Sequence, residues 1–289
     1  MGEHLKQFGR AEAKVSEIGV GTFYDAAWIL RSRFAAPSKS EKARRIEAIK
    51  AALDSGINLI DTAEIYGSET LVGEAIKGYD REGLFIATKV FPTNFSPSRL
   101  ERSCERSLRK LGVKYIDLYQ LHFPLWQNRI SDALHTMERL VDQGKIRYIG
   151  ISNFSLKQTK MACEALRKHP LISTQMNFSL MHRDIEMDIL PYCVENNIEV
   201  LAYYPLGHGK LLNQGLWSSE QIQNISKKYG GKTLSQIVLN WFVSKYNNVF
   251  PIPRASNPDH VRENAGAMGW RMEKEDIQIL ESLAIKLAS

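Results

Sequence analysis

The feature that most constrains this chain is a repeated alternation: a short run of β-branched and apolar residues, then a longer stretch with helical spacing. The short runs are Ile18–Val20, Gly56–Ile60, Leu84–Thr88, Tyr115–Leu121, Ile146–Ile151, Leu171–Thr174, Ile198–Ala202 and Val249–Ile252, each predicted as a strand. Helices are predicted over Glu41–Leu53, Glu69–Lys77, Pro97–Leu111, Ser131–Gln143, a segment opened by Ser155, Ile185–Asn196, Leu234–Lys245 and Pro258–Ala267. In the first of these Ala43, Ile46, Ile49, Ala52 and Leu53 share one face, and Gly56 stands where a helix-ending glycine belongs. A strand followed by a helix and another strand calls for parallel pairing, because the helix carries the chain back to the same edge. Eight such units predict an α/β fold, a (β/α)8 TIM barrel. A doubly wound open sheet satisfies the same periodicity and is the structural alternative.

Two additions frame the repeat. Leu5–Phe8 and Lys14–Glu17 flank Gly9-Arg10 as a short N-terminal hairpin, and Glu273–Ala284 reads as an extra C-terminal helix. No linker or low-complexity segment interrupts the pattern, so residues 1–289 read as one domain. That exceeds the usual ~150 residues per domain, but barrels of this type run to such lengths. Phe23–Ser40 and Leu206–Ser219 are the longest stretches without periodicity; both follow strands and are predicted as loops on the catalytic face.

The formal net charge is +6, yet Lys42, Arg44 and Arg45 lie between Glu41 and Glu47, and basic residues elsewhere are similarly interleaved. A nucleic-acid footprint needs a clustered stripe. The excess charge fits a solvated surface plus a pocket for an anionic ligand. Cys104, Cys163 and Cys193 are odd in number, far apart and without a CxxC pair, which argues against a disulfide framework or a zinc site. A reducing, cytoplasmic compartment fits. Met1–Arg10 lacks a signal pattern, Lys6 stands where a myristoylation signal wants Ser or Thr, and no apolar run approaches the ~18 residues of a membrane helix.

The chemistry is read from what ends each strand. Asp61 ends the second, Lys89 the third, His122 the fourth, Ser152-Asn153 the fifth, Gln175 the sixth, Tyr203-Tyr204 the seventh and Arg254 the eighth. A barrel builds its active site from these C-terminal ends. Taken singly, an Asp there is a helix cap and a His a structural residue, but capping does not explain the whole series. Asp61 opens the stretch Asp61-Thr62-Ala63-Glu64-Ile65-Tyr66-Gly67. A phenol holds its proton at neutral pH; an ammonium nearby lowers its pKa, and a carboxylate beside the lysine keeps that ammonium charged and aimed. Tyr66 can then donate a proton to a developing alkoxide, with His122 hydrogen-bonded to the same oxygen.

Competing motifs fail. Gly19-Val20-Gly21 follows a strand, but Tyr24 occupies the third glycine position of a dinucleotide fingerprint. The sequence holds no GxxxxGK[ST] loop, no HxH or HExxH pair and no GxSxG elbow, so no metal is expected. The sequence does resemble the aldo-keto reductase superfamily over nearly its whole length. The matching stretches are GINLIDTAEIYG (Gly56–Gly67), Ala87-Thr88-Lys89, SLRKLGVKYIDLYQLH (Ser107–His122), GKIRYIGISNF (Gly144–Phe154), Gln175, LAYYPLG (Leu201–Gly207) and IPRASNPDHVREN (Ile252–Asn264).

The resemblance implies a catalytic tetrad of Asp61, Tyr66, Lys89 and His122, and 4-pro-R hydride transfer. It also implies cofactor contacts at Ser152, Asn153 and Gln175 for the carboxamide, Tyr203 for stacking, and Leu206 in the same strand-end motif. Arg254, Ser256, Asn257 and His260 would meet the adenosine phosphate, with Glu263 and Asn264 nearer the adenine. A guanidinium suits a phosphate dianion, so Arg254 favours NADP(H) over NAD(H); His260 departs from the arginine of some relatives. Tyr24, Trp28, Phe91, Phe123, Trp126 and Trp217 are the candidate walls of a pocket for a small apolar or aromatic carbonyl substrate. Some such relatives, channel β subunits among them, bind the cofactor as regulatory partners, which is the alternative to a reductase.

Overall fold

A computed structural model describes residues 4–35, 37–207 and 216–288, the side chains of residues 217 and 286–288 excepted. An antiparallel hairpin of β1 (Leu5–Gln7) and β2 (Lys14–Ser16) precedes a parallel sheet. The sheet comprises β3 (Val20–Gly21), β4 (Leu59–Asp61), β5 (Phe85–Val90), β6 (Ile116–Leu121), β7 (Ile146–Ser152), β8 (Leu171–Asn177), β9 (Glu199–Tyr203) and β10 (Val249–Pro251), paired in sequence order. β5 and β6 are buried along their whole length, as strands covered on both faces must be.

The sheet closes on itself. Gly19 N donates to Pro251 O at 2.9 Å, Gly21 N to Pro253 O at 2.8 Å, and Ala255 N to Gly21 O at 2.8 Å. These bonds join the first strand to the last and decide for a barrel over an open sheet. A Cβ at Gly21 would sit 3.0 Å from the Ile252 carbonyl, so a glycine lets the two strands approach at this seam.

The hairpin stoppers the barrel at its N-terminal end. Phe8 packs its ring 4.8 Å from Phe85 and 4.9 Å from Phe250, in a cluster with Leu59, Leu118 and Leu201 inside the barrel. Burying one such ring contributes about 1.5–3 kcal/mol. Helices form where capping and spacing agree. Ser155 with Gln158 and Thr233 with Gln236 make complete capping boxes ahead of Leu156–Ala165 and Leu234–Lys245.

Several elements differ from the sequence expectation. The first strand begins at Val20 rather than Ile18, and β8 runs on to Asn177. The helix expected over Ile185–Asn196 is split into a short turn, Asp184–Met187, and a helix, Ile189–Asn196, capped by Asp188. Pro191 lacks an N–H and is tolerated only in a first turn, which sets that start. The stretch Phe23–Ser40, expected as a loop, contains the helix Ala26–Phe34. A further helix, Glu220–Lys228, was not anticipated; it buries Ile222 and Ile225 one turn apart. The C-terminal helix spans Lys274–Ala288.

Candidate active site

Asp61, the last residue of β4, and Lys89, near the end of β5, lie side by side because the two strands are in register there, Asp61 opposite Ala87. Both are buried, at 2% and 0% exposure. Lys89 Nζ donates to Asp61 Oδ1 at 2.9 Å, to Asp61 Oδ2 at 2.8 Å and to Thr62 O at 2.8 Å. Those three contacts use all three ammonium protons. Gln175 Nε2 donates to Asp61 Oδ1 at 2.8 Å. Behind the pair, Ser68 Oγ lies 2.9 Å from Thr22 Oγ1 and 3.0 Å from Thr62 Oγ1, tying the β3 and β4 ends together.

Tyr66 closes a single turn, Glu64–Tyr66, and Gly67 follows it at φ 68. That left-handed conformation admits glycine without strain and turns the chain so that the phenol stands over the Lys89 ammonium, 4.8 Å from Nζ to ring centroid. The Tyr66 hydroxyl lies 3.3 Å from His122 Nε2. Lys89 therefore acts on the phenol through space, its own donors being committed to Asp61 and Thr62.

Burial dominates the electrostatics. It drives Tyr66 well above its ordinary pKa, with Asp61 adding to the rise. The lowering expected from the nearby ammonium is thus outweighed, because removing a phenolate from water costs more than one cation at this distance returns. Burial, followed by Lys89, holds His122 far below its usual value, so the imidazole is neutral. Burial also pulls Lys89 down and Asp61 up, while their mutual contact opposes both shifts.

A cleft of about 980 Å³ opens over this group. Asp61, Tyr66 and His122 line it together with Ser152, Asn153, Gln175, Tyr203, Leu206, Arg254, Ser256, His260, Glu263 and Asn264. Asn153 Nδ2 bonds His122 O at 3.1 Å, and Tyr203 OH donates to Asn153 Oδ1 at 2.8 Å, so the fifth and seventh strand ends brace the histidine. Asn153 holds φ 64 and Tyr204 φ 54, two left-handed non-glycine residues that both line the cleft. Arg254 Nη1 donates to Tyr24 O at 2.8 Å, leaving its remaining N–H groups for other partners. Asn257 does not line the cleft; its side chain caps the helix Pro258–Ala265 by accepting from Asp259 N at 3.1 Å.

The aromatic candidates separate. Tyr24 and Phe123 line the cleft. Trp28 is the buried residue of the helix Ala26–Phe34 and does not line the cleft, and Phe91 lines a separate cavity of about 400 Å³ with Arg33, Arg106 and Lys110. Trp126 is 51% exposed and outside the cleft wall. Trp217's side chain lies outside the described residues. Sequence reasoning passed over Phe23, which lines the cleft with its ring 5.1 Å from that of Tyr66 and 6.2 Å from that of Tyr204. Its place two residues after β3 was the available signal.

The lining fits a dinucleotide: the amides and hydroxyls of Ser152, Asn153 and Gln175 share the cleft with Arg254 and Ser256 and with His260, Glu263 and Asn264 of the helix Pro258–Ala265. Known proteins resemble this chain over nearly its whole length. The model of the aldo/keto reductase family matches residues 17–285. Methylglyoxal reductase YeaE of Escherichia coli (strain K12) is 30% identical over 286 residues, covering 97% of this chain and 95% of that protein. The crystal structure of the thermostable aldo-keto reductase Tm1743, in complex with epalrestat, superposes with a TM-score of 0.84 at 35% identity, covering 96% of this chain and 99% of that one. An aldo/keto reductase from Klebsiella pneumoniae, in complex with NADP and acetate, superposes with a TM-score of 0.82 at 31% identity, covering 97% and 95%.

Proposed function

Because this chain belongs to the aldo/keto reductase family, we propose that it is an NADP(H)-dependent oxidoreductase that reduces small aldehydes or ketones to alcohols, with Tyr66 as the proton donor. The observation that carries the reading is the Tyr66–His122 contact of 3.3 Å, set beside the buried Lys89–Asp61 pair in a cleft of about 980 Å³.

A reduced nicotinamide bound against Tyr203 would supply the hydride. Ser152, Asn153 and Gln175 present hydroxyl and amide groups that would hold its carboxamide. The high pKa of Tyr66 keeps the phenol protonated at neutral pH, so it reaches the substrate as a donor. The neutral His122 adds a polar contact at the same oxygen and fixes the carbonyl's direction. As the proton leaves Tyr66, the Lys89 ammonium stabilises the phenolate that remains, and Asp61 keeps Lys89 in place. Arg254 gives the cofactor site a fork for a 2′-phosphate, which favours NADPH over NADH. Aromatic walls at Phe23, Tyr24 and Phe123 suit apolar or aromatic carbonyl compounds. The free cysteines Cys104, Cys163 and Cys193 fit a reducing, cytoplasmic setting.

The test is a panel of aldehydes, 4-nitrobenzaldehyde and methylglyoxal among them, followed by NADPH absorbance with NADH alongside. Tyr66→Phe should bind NADPH nearly as the parent does and lose at least ~100-fold in turnover. A Tyr66→Phe enzyme as fast as the parent would remove the proton-donor role.

A further inference from the structure

The helix Ala26–Phe34 bears on the turn that carries Tyr66. Trp28 Nε1 donates to the Tyr66 main-chain carbonyl at 3.0 Å. One residue on, the Ser32 hydroxyl occupies the space where a Cβ at Gly67 would project. The helix is therefore in contact with both residues that shape the turn.

Trp28 is itself held from several sides. It is 1% exposed, and its main-chain N–H donates to Asp25 Oδ1 at 2.6 Å. The Tyr24 ring meets it edge-on at 5.4 Å, and the Arg45 guanidinium carbon lies 3.6 Å from its ring centroid. Arg45 also lies 3.9 Å from the Tyr24 ring centroid and donates to Glu41 Oε1 at 2.7 Å. Its Nη1 is buried with no hydrogen-bond partner. A guanidinium that leaves a donor unmade under two rings is held by stacking, an arrangement a solvated surface arginine would not adopt.

We infer that Trp28, clamped by Arg45 and Tyr24, is a positioning residue for the reaction: its indole N–H fixes the Tyr66 main chain and so sets the phenol relative to His122 and Lys89. Trp28 does not line the cleft, so it acts through Tyr66 and not by touching substrate. The inference rests on Tyr66 being the proton donor. Reactions of this kind are sensitive to placement; a shift of about 1 Å can cost on the order of 100-fold.

Trp28→Phe keeps a ring under Arg45 and removes the N–H. It should lower kcat for 4-nitrobenzaldehyde about tenfold and leave the Kd for NADPH, read by protein fluorescence quenching, within about twofold. Trp28→His, which retains a ring N–H, should recover part of the loss. In a Tyr66→Phe background, Trp28→Phe should produce no further fall, because the group it positions is gone. A tenfold fall on that background, or an unchanged kcat in the single variant, overturns the inference. Should residual Tyr66→Phe turnover lie below detection, the alkaline limb of the kcat–pH profile decides: a displacement of about half a unit in Trp28→Phe supports positioning, and an unmoved limb refutes it. Full turnover by Tyr66→Phe would instead refute the proton-donor reading itself, whatever Trp28→Phe does.

Discussion

Replacing Lys89 by methionine isolates the physics of the buried pair. The substitution keeps most of the side-chain volume and deletes the ammonium. Asp61 would lose two of its contacts, at 2.9 and 2.8 Å, and keep the Gln175 amide at 2.8 Å. Removing one partner of a buried ion pair costs about 3–5 kcal/mol, because the other charge is left uncompensated. For a chain of this size that is a fall in Tm of roughly 6–20 °C at neutral pH. The loss should depend on pH. Burial already pushes the Asp61 pKa up in the parent, and without Lys89 nothing cationic opposes it. A carboxyl with a raised folded pKa stabilises fully below its ordinary value of ~3.9 and loses that contribution as pH climbs through the raised value. The deficit of Lys89→Met relative to the parent should therefore be larger at pH 8 than at pH 5. Adding Asp61→Asn should return much of it, since an amide carries no charge to strand. Urea unfolding of the parent and of the single and double variants at both pH values measures all of this. A single-variant deficit below about 1 kcal/mol, or one that ignores pH, would show that the pair is not the buried, mutually dependent unit described here.

Two further outcomes follow. Arg254→Leu removes the charge-assisted bonds available to a 2′-phosphate, so KM for NADPH should rise about 10–100-fold while KM for NADH moves little, as steady-state kinetics with both cofactors would read; equal effects on the two would count against a phosphate contact. Glu199, buried near Lys6 under the barrel, has its pKa pushed up to about 7 by burial, so its contribution to stability is full below pH ~4.5 and lost as pH rises through 7. Glu199→Gln should accordingly gain in Tm over the parent as pH is raised from 5 to 8, and a constant difference across that range would refute the assignment.

The barrel and its strand ends were legible because the signal repeats. Each strand is a short apolar run, and Asp61, Lys89, His122, Gln175 and Arg254 stand where such runs stop. The helix Ala26–Phe34 was not legible, since Trp28 alone among its residues is buried and Leu30 and Phe34 face outward. It has no apolar stripe for periodicity to find; the local hint was Asp25 ahead of two alanines, a cap without a pattern. The same gap explains the aromatic assignments. A tryptophan after a strand reads as a pocket wall, yet Trp28 turns its indole toward main chain and a guanidinium, while Phe23, next to the chosen Tyr24, takes the wall. The direction of the Tyr66 shift was out of reach for a related reason: charge neighbours can be guessed from residue types, but the depth at which a group is desolvated is a property of packing.

The seam between β3 and β10 has a consequence for how the molecule matures. Arg254 reaches the Tyr24 carbonyl across 230 positions of chain, and part of the cleft wall is made from residues beyond β10. A nascent polypeptide stalled before that strand can stack helices and pair its early strands, but it lacks Arg254, Ser256, His260, Glu263 and Asn264 of the cleft wall. On the proposed reading, NADPH would bind only chains whose ends have met, and its binding energy would latch the most non-local pairing of the barrel.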